Sequence, residues 1–137
     1  MPKPSRTRKV TAAQVRAYVA KAEEYVSAAE AELEAERSIA ATSLAIHAGI
    51  NGSDAVTGVR LGVRAAGQDH DEALRLLKTA GPDGNAVAKD LARLLPMKNR
   101  AEYEPDEIPK ADAARAVDRA GRIVAVARRV ADAQRDS

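Results

Sequence analysis

Residues 39 to 63 read Ile39-Ala40-Ala41-Thr42-Ser43-Leu44-Ala45-Ile46-His47-Ala48-Gly49-Ile50-Asn51-Gly52-Ser53-Asp54-Ala55-Val56-Thr57-Gly58-Val59-Arg60-Leu61-Gly62-Val63. Alternating steps of four and three connect Ala41, Ala45, Ala48, Gly52, Ala55, Val59 and Gly62, so one side of a helix is almost entirely small. Small side chains admit a neighbouring helix at short range. Gly49, Gly52, Gly58 and Gly62 each lower helix propensity by about 1 kcal/mol relative to Ala. Packing must therefore hold this helix, and a kink or break is expected near Asn51-Gly52. Between residues 38 and 59 the only formal charge is Asp54, which suits a helix buried on most sides.

The flanking segments supply its neighbours. Thr11-Ala12-Ala13-Gln14 has capping-box spacing, with Val10 and Val15 placed as a hydrophobic staple. Val15, Val19, Ala22, Val26, Ala29 and Leu33 continue as one apolar face, with Glu23, Glu24, Glu30, Glu32, Glu34 and Glu36 making the remainder acidic. The turn before the next helix, unmarked by Gly or Pro, is expected at Ala35 to Ser38. Downstream, Asp69-His70-Asp71-Glu72 repeats the capping-box spacing and opens a helix with Ala73, Leu74 and Leu77 inward. Gly81-Pro82 ends it. Asp83 or Asn85 starts another, with Val87, Leu91, Leu94 and Leu95 facing the core, and Pro96 should kink or end that one, since it lacks an N–H donor and clashes with the previous turn. Pro105 and Pro109 bracket an acidic link, and the last helix runs from about Lys110 to Ala133. Its apolar face is Ala113, Val117, Ala120, Val124, Ala127 and Ala131, widened by Ile123 and Val130. No strand pattern is visible. The expectation is an all-α bundle of four to five helices, with residues 1–10 a basic flexible leader, 11–134 one helical domain and 135–137 a tail.

Composition narrows the chemistry. The chain has 137 residues, 45% of them hydrophobic, and its only aromatics are Tyr18, Tyr25 and Tyr103. The core is thus built of Ala, Val, Leu and Ile. Absent cysteines exclude disulfides and thiolate metal sites. No apolar run approaches the roughly 20 residues of a membrane-spanning helix, and no apolar h-region follows Met1-Pro2-Lys3-Pro4. A cytoplasmic protein with no membrane association is expected. The net charge is only +2. Lys3, Arg6, Arg8 and Lys9 read as a solvated basic leader. Arg115, Arg119, Arg122 and Arg129 read as a solvated helix face with acidic partners such as Asp112 and Asp118.

There is no Walker loop, no Gly-rich dinucleotide fingerprint and no Cys nucleophile. Two histidines, without Glu-x-x-His pairs, leave no basis for a four-helix metal centre. No cofactor and no metal are expected. Ser43, His47 and Asp54 share one helical face, as a polar cluster or as a base with an orienting carboxylate, which makes His47 a secondary catalytic candidate. His70, beside Asp69 and Asp71, reads as a surface residue. The densest collection of functional groups is Leu94-Leu95-Pro96-Met97-Lys98-Asn99-Arg100-Ala101-Glu102-Tyr103-Glu104-Pro105.

Within it, Lys98-Asn99-Arg100-Ala101-Glu102-Tyr103 resembles the signature region of HEPN domains, small α-helical bundles found in prokaryotes and some eukaryotes. Their motif is Arg, a polar residue such as Asn, a few residues, then His, near the junction before the final helix. Here Lys98 stands at the Arg position, Asn99 at the polar one and Tyr103 at the His one. The order of two long helices, shorter ones, the motif and a long last helix is also similar, over roughly Thr11 to Ala133. The resemblance implies a bacterial homodimer in a toxin–antitoxin or defence-type system, with RNA or a nucleotidyltransferase-like antitoxin, or another operon partner, as its ligand. It implies a site at Lys98, Asn99 and Tyr103, with Arg100 and Lys98 contacting nucleic acid. Metal-free RNA cleavage needs proton transfer at the 2′-hydroxyl and at the leaving oxygen. His, with an ordinary pKa of about 6.5, suits that work better than Tyr at about 10. The expected function is accordingly a dimeric interaction module with a degenerate RNA-cleavage motif. The alternative is a metal-independent RNase toxin acting through Lys98 to Tyr103.

Overall fold

The computed structural model describes residues 6–67 and 70–135, the last for its backbone. In chain order these are β1 (Thr7–Lys9), α1 (Ala12–Glu34), α2 (Ser38–Leu61), β2 (Val63–Ala65), α3 (His70–Lys78), α4 (Gly81–Leu94), α5 (Met97–Glu102) and α6 (Lys110–Arg135). The protein is an all-α bundle carrying one small sheet. Among the described residues there are six helices, because Pro96 is followed by a short helix of its own.

α1 starts where its capping box predicts. Thr11 Oγ1 accepts from the Gln14 amide at 3.1 Å, and Gln14 Oε1 accepts from the Thr11 amide at 2.9 Å. Its end explains how a turn forms without glycine. The Arg37 amide donates to the Glu32 carbonyl at 2.9 Å and the Glu36 amide to that of Leu33 at 3.0 Å, the paired bonds of a Schellman motif. Glu36 takes the left-handed position at φ 62°, and the Arg37 guanidinium clamps the Glu32 carboxylate.

α2 lies at the centre, packed on α1 and α6 and touching α3, α4 and α5. Ala41, Ala45, Ala48, Gly52 and Ala55 of its small face are buried. The helix runs through Asn51-Gly52 without the break that is one of the two expectations there. The glycines here serve close approach. A Cβ on Gly52 would stand 2.8 Å from Ile123 Cγ2, and one on Gly49 2.8 Å from Leu94 Cδ1. The intrinsic weakness of glycine in a helix is offset by packing against α6 and α4. α6 buries all eight residues of its expected apolar face, and Val87, Leu91, Leu94 and Leu95 close the bundle.

The sheet corrects the expectation of no strands and of a wholly flexible leader. β1 pairs antiparallel with β2 in the register Thr7↔Ala65, Arg8↔Arg64, Lys9↔Val63. The Val10 amide then donates to the Gly62 carbonyl at 2.9 Å, and Val10 is buried against the position of a Cβ on Gly58. Strands of three residues are too short to show a period, and their stabilising bonds join segments more than fifty residues apart. Residues 1–5 of the expected leader, the cap at Asp69 and the tail after Arg135 lie outside the described residues.

Ion pairs stitch the outer surface. Arg122 holds Asp90 of α4 at 2.9 Å, Arg129 holds Asp83 at 2.9 Å, and Arg128 holds Glu23 of α1. Two of the four stripe arginines thus reach across helices, a solvated face as expected, although the acids mostly come from neighbouring elements. No helix among the described residues is long and apolar enough to cross a membrane.

Candidate functional site

Pro96 takes φ −61° at the N-cap of α5, compatible with its ring and with a new helix. The motif segment is therefore a one-and-a-half-turn helix. This helix sends its functional groups in different directions. Lys98 lines a cavity together with Leu91 and Leu95. Asn99 is exposed, and Tyr103, five residues beyond Lys98 and past the helix end, is 74% exposed. Arg100 turns to α6, with Nη1 3.5 Å from Asp112 Oδ2 and 3.7 Å from Met97 Sδ.

The polar face of α2 is likewise divided. Ser43 borders an open groove of about 730 Å³ with Ile39, Ala101 and Ile108. His47 packs its ring against Tyr25 of α1, centroids 5.4 Å apart and tilted by 31°. Asp54 enters the cavity that Lys98 lines. A seven-residue step places His47 and Asp54 on one side of the helix, but different neighbours cover each end. The structure does not bring Ser43, His47 and Asp54 together as a catalytic group.

What it does bring together sequence reading missed. The cavity, of about 220 Å³, lies where α2, β2, α3, α4 and α5 meet. Ile50, Leu91, Leu95 and Ala73 supply an apolar wall, and Ser53, Asp54, Arg64, His70 and Lys98 supply polar groups. The three charged contributors each have a local reason for their position. Asp54 is the lone charge inside α2, Arg64 is fixed by the β ladder opposite Arg8, and Lys98 follows the turn that Pro96 starts. The Arg64 Nη1 also donates to the Ala65 carbonyl at 3.1 Å, which restrains the guanidinium.

Burial pushes the Asp54 carboxyl up to about 7, while the positive charge of Arg64 pulls it the other way. Desolvation prevails, so the acid carries its proton for much of the time at neutral pH. Among the described residues, neither Arg64 nor Lys98 has a carboxylate at ion-pair distance. An acid that is partly protonated at neutral pH thus shares a small cavity with two cations that have no ion-pair carboxylate among the described residues. Only Asp54 itself signals this in the sequence, as an isolated acid in an otherwise uncharged helix.

No family model and no curated protein matches the chain. The cavity and the motif helix therefore stand on their own geometry. Among the described residues, no three His, Cys, Asp or Glu side chains are grouped to hold a metal ion. The groups that are assembled can bind an anion, donate hydrogen bonds and exchange a proton at the Asp54 carboxyl.

Proposed function

We propose that this protein is a HEPN-like helical interaction module that binds rather than cuts. It works as a cytoplasmic homodimer, or beside an operon partner such as a nucleotidyltransferase-like antitoxin, in a toxin–antitoxin or defence-type system. The observation that carries the reading is the divergence of the motif: Lys98 lines an inner cavity while Tyr103 is 74% exposed. General acid–base cleavage of RNA needs proton-transferring groups within hydrogen-bond reach of one phosphate. Lys98 and Tyr103 do not share such a place within the chain, and His47 is engaged with Tyr25. Arg100, the expected phosphate contact, is committed to Asp112. The succession of two long helices, short ones, the motif and a long final helix supports the HEPN-like layout. Binding through exposed groups at a helix joint requires none of the convergence that cleavage does.

The test combines an RNA-cleavage assay without metal near neutral pH with a mass measurement of the purified chain in solution. No cleavage, together with a mass near twice the monomer or a specific partner recovered from native cells, is the expected result. Cleavage lost in Lys98→Ala and Tyr103→Phe would establish the metal-independent RNase instead. Recovery of a monomer with no partner would refute the interaction module.

A further inference from the structure

We infer that the cavity between α2, β2, α3, α4 and α5 is a binding site for a small organic carboxylate with a compact apolar body, its anion held by Arg64 and Lys98 opposite the Asp54 carboxyl. This site does not depend on the motif reading and stands or falls separately from it.

Charge comes first. Arg64 and Lys98 enter from β2 and α5 and lack ion-pair partners among the described residues. A part-buried cation without a counter-charge is an electrostatic demand that a ligand anion can meet. Asp54 would compensate them when ionised, yet burial raises its carboxyl to about 7, so that it is mostly protonated at about pH 6. In that form it is a hydrogen-bond donor and pairs with a carboxylate, which has acceptors alone. The groups facing Asp54 across the cavity are Arg64 from β2, His70 from α3 and Lys98 from α5, while α4 contributes the uncharged Leu91.

Shape and polarity select the rest of the ligand. The wall of Ile50, Ala73, Leu91 and Leu95 offers apolar area that a bare inorganic anion leaves unused. A cavity of about 220 Å³ holds a single ring or a short branched chain. Apolar walls with few, well-placed polar groups are the usual makeup of small-molecule sites. A compact carboxylate satisfies the cations, the donor and the wall together.

Benzoate is the probe, titrated into the full chain at about pH 6 and followed by the methyl NMR signals of Ile50, Leu91 and Leu95. Saturable shifts of those signals are expected. Arg64→Gln and Lys98→Gln should each weaken binding by about tenfold or more while leaving the circular dichroism spectrum and melting midpoint native. Neutral benzamide and inorganic phosphate should each bind at least about tenfold more weakly than benzoate. Raising the pH through about 7 should weaken benzoate binding in the native chain as an Asp54 carboxylate forms, and Asp54→Asn should flatten that dependence. Absence of saturable shifts overturns the assignment, as does undiminished binding in both cation variants. Phosphate binding as tightly as benzoate would overturn the choice of an apolar carboxylate.

Discussion

Ile123 Cγ2 lies 2.8 Å from the point where a side chain on Gly52 would begin. α2 and α6 leave no room for a side chain here, which makes Gly52 a packing residue. Ile123 is β-branched and stiff about χ1, so it cannot swing aside cheaply. Gly52→Ala should destabilise by about 1–3 kcal/mol through overpacking, with up to about 1 kcal/mol regained as helix propensity. Gly121, within α6, has open space where its Cβ would stand, and Gly121→Ala should stabilise by up to about 1 kcal/mol. Urea unfolding of the two variants measures both signs, and equal behaviour would contradict the packing role of Gly52.

Glu36 ends α1 in the left-handed region at φ 62°, a conformation that glycine adopts without penalty. Glu36→Gly should raise stability by up to about 1 kcal/mol. The lost contact is an exposed pair with Lys110 at 3.3 Å, of small weight. A rise in the thermal midpoint checks this.

Asp54 should make stability fall as pH rises. Its folded value of about 7 stands above the ordinary carboxylate range near 4. The native state therefore holds a proton that the unfolded chain releases between those values. The Asp54 contribution is fully present below about pH 4 and is lost progressively up to about pH 7. The partial exposure of the site limits the effect to a few kcal/mol. Asp54→Asn should abolish this slope and be the more stable protein at about pH 8, as denaturant titrations at several pH values would reveal.

Asp83 behaves oppositely. Hydrogen bonds from Arg60 at 2.6 Å and Arg129 at 2.9 Å hold its carboxyl below the usual carboxylate range. Its contribution is present above about pH 4 and disappears as pH falls through its lowered value. Both arginines are substantially exposed, so Asp83→Asn should cost about 1 kcal/mol at neutral pH and less at high salt. Chemical denaturation at low and high ionic strength tests the link this carboxylate makes among α2, α4 and α6.

Tyr103→Phe should leave the melting midpoint unchanged, within about 0.5 kcal/mol of stability, because the ring is 74% exposed. Any change this variant causes in RNA handling or partner recovery then reports on the hydroxyl itself. A fall in the midpoint would show that the phenol has a structural part.

The helices and their inward faces were legible because a helix repeats its environment every three to four residues, so local spacing records burial. Val15 to Leu33, Ala41 to Ala55 and Ala113 to Ala131 all carry that record. The turn at Ala35 to Arg37 and the stop at Pro96 are equally local, one a hydrogen-bond pattern of successive residues and the other a missing donor. The β ladder is different in kind, since Thr7–Lys9 becomes a strand only when Val63–Ala65 lies beside it. The cavity is decided the same way. Asp54, Arg64 and Lys98 sit on three elements, and their meeting depends on how those elements pack, including the close approach of α2 to α4 at Gly49. Ser43, His47 and Asp54 show the converse: a shared helical face is a matter of spacing, but the side chains that cover each part of that face come from distant chain.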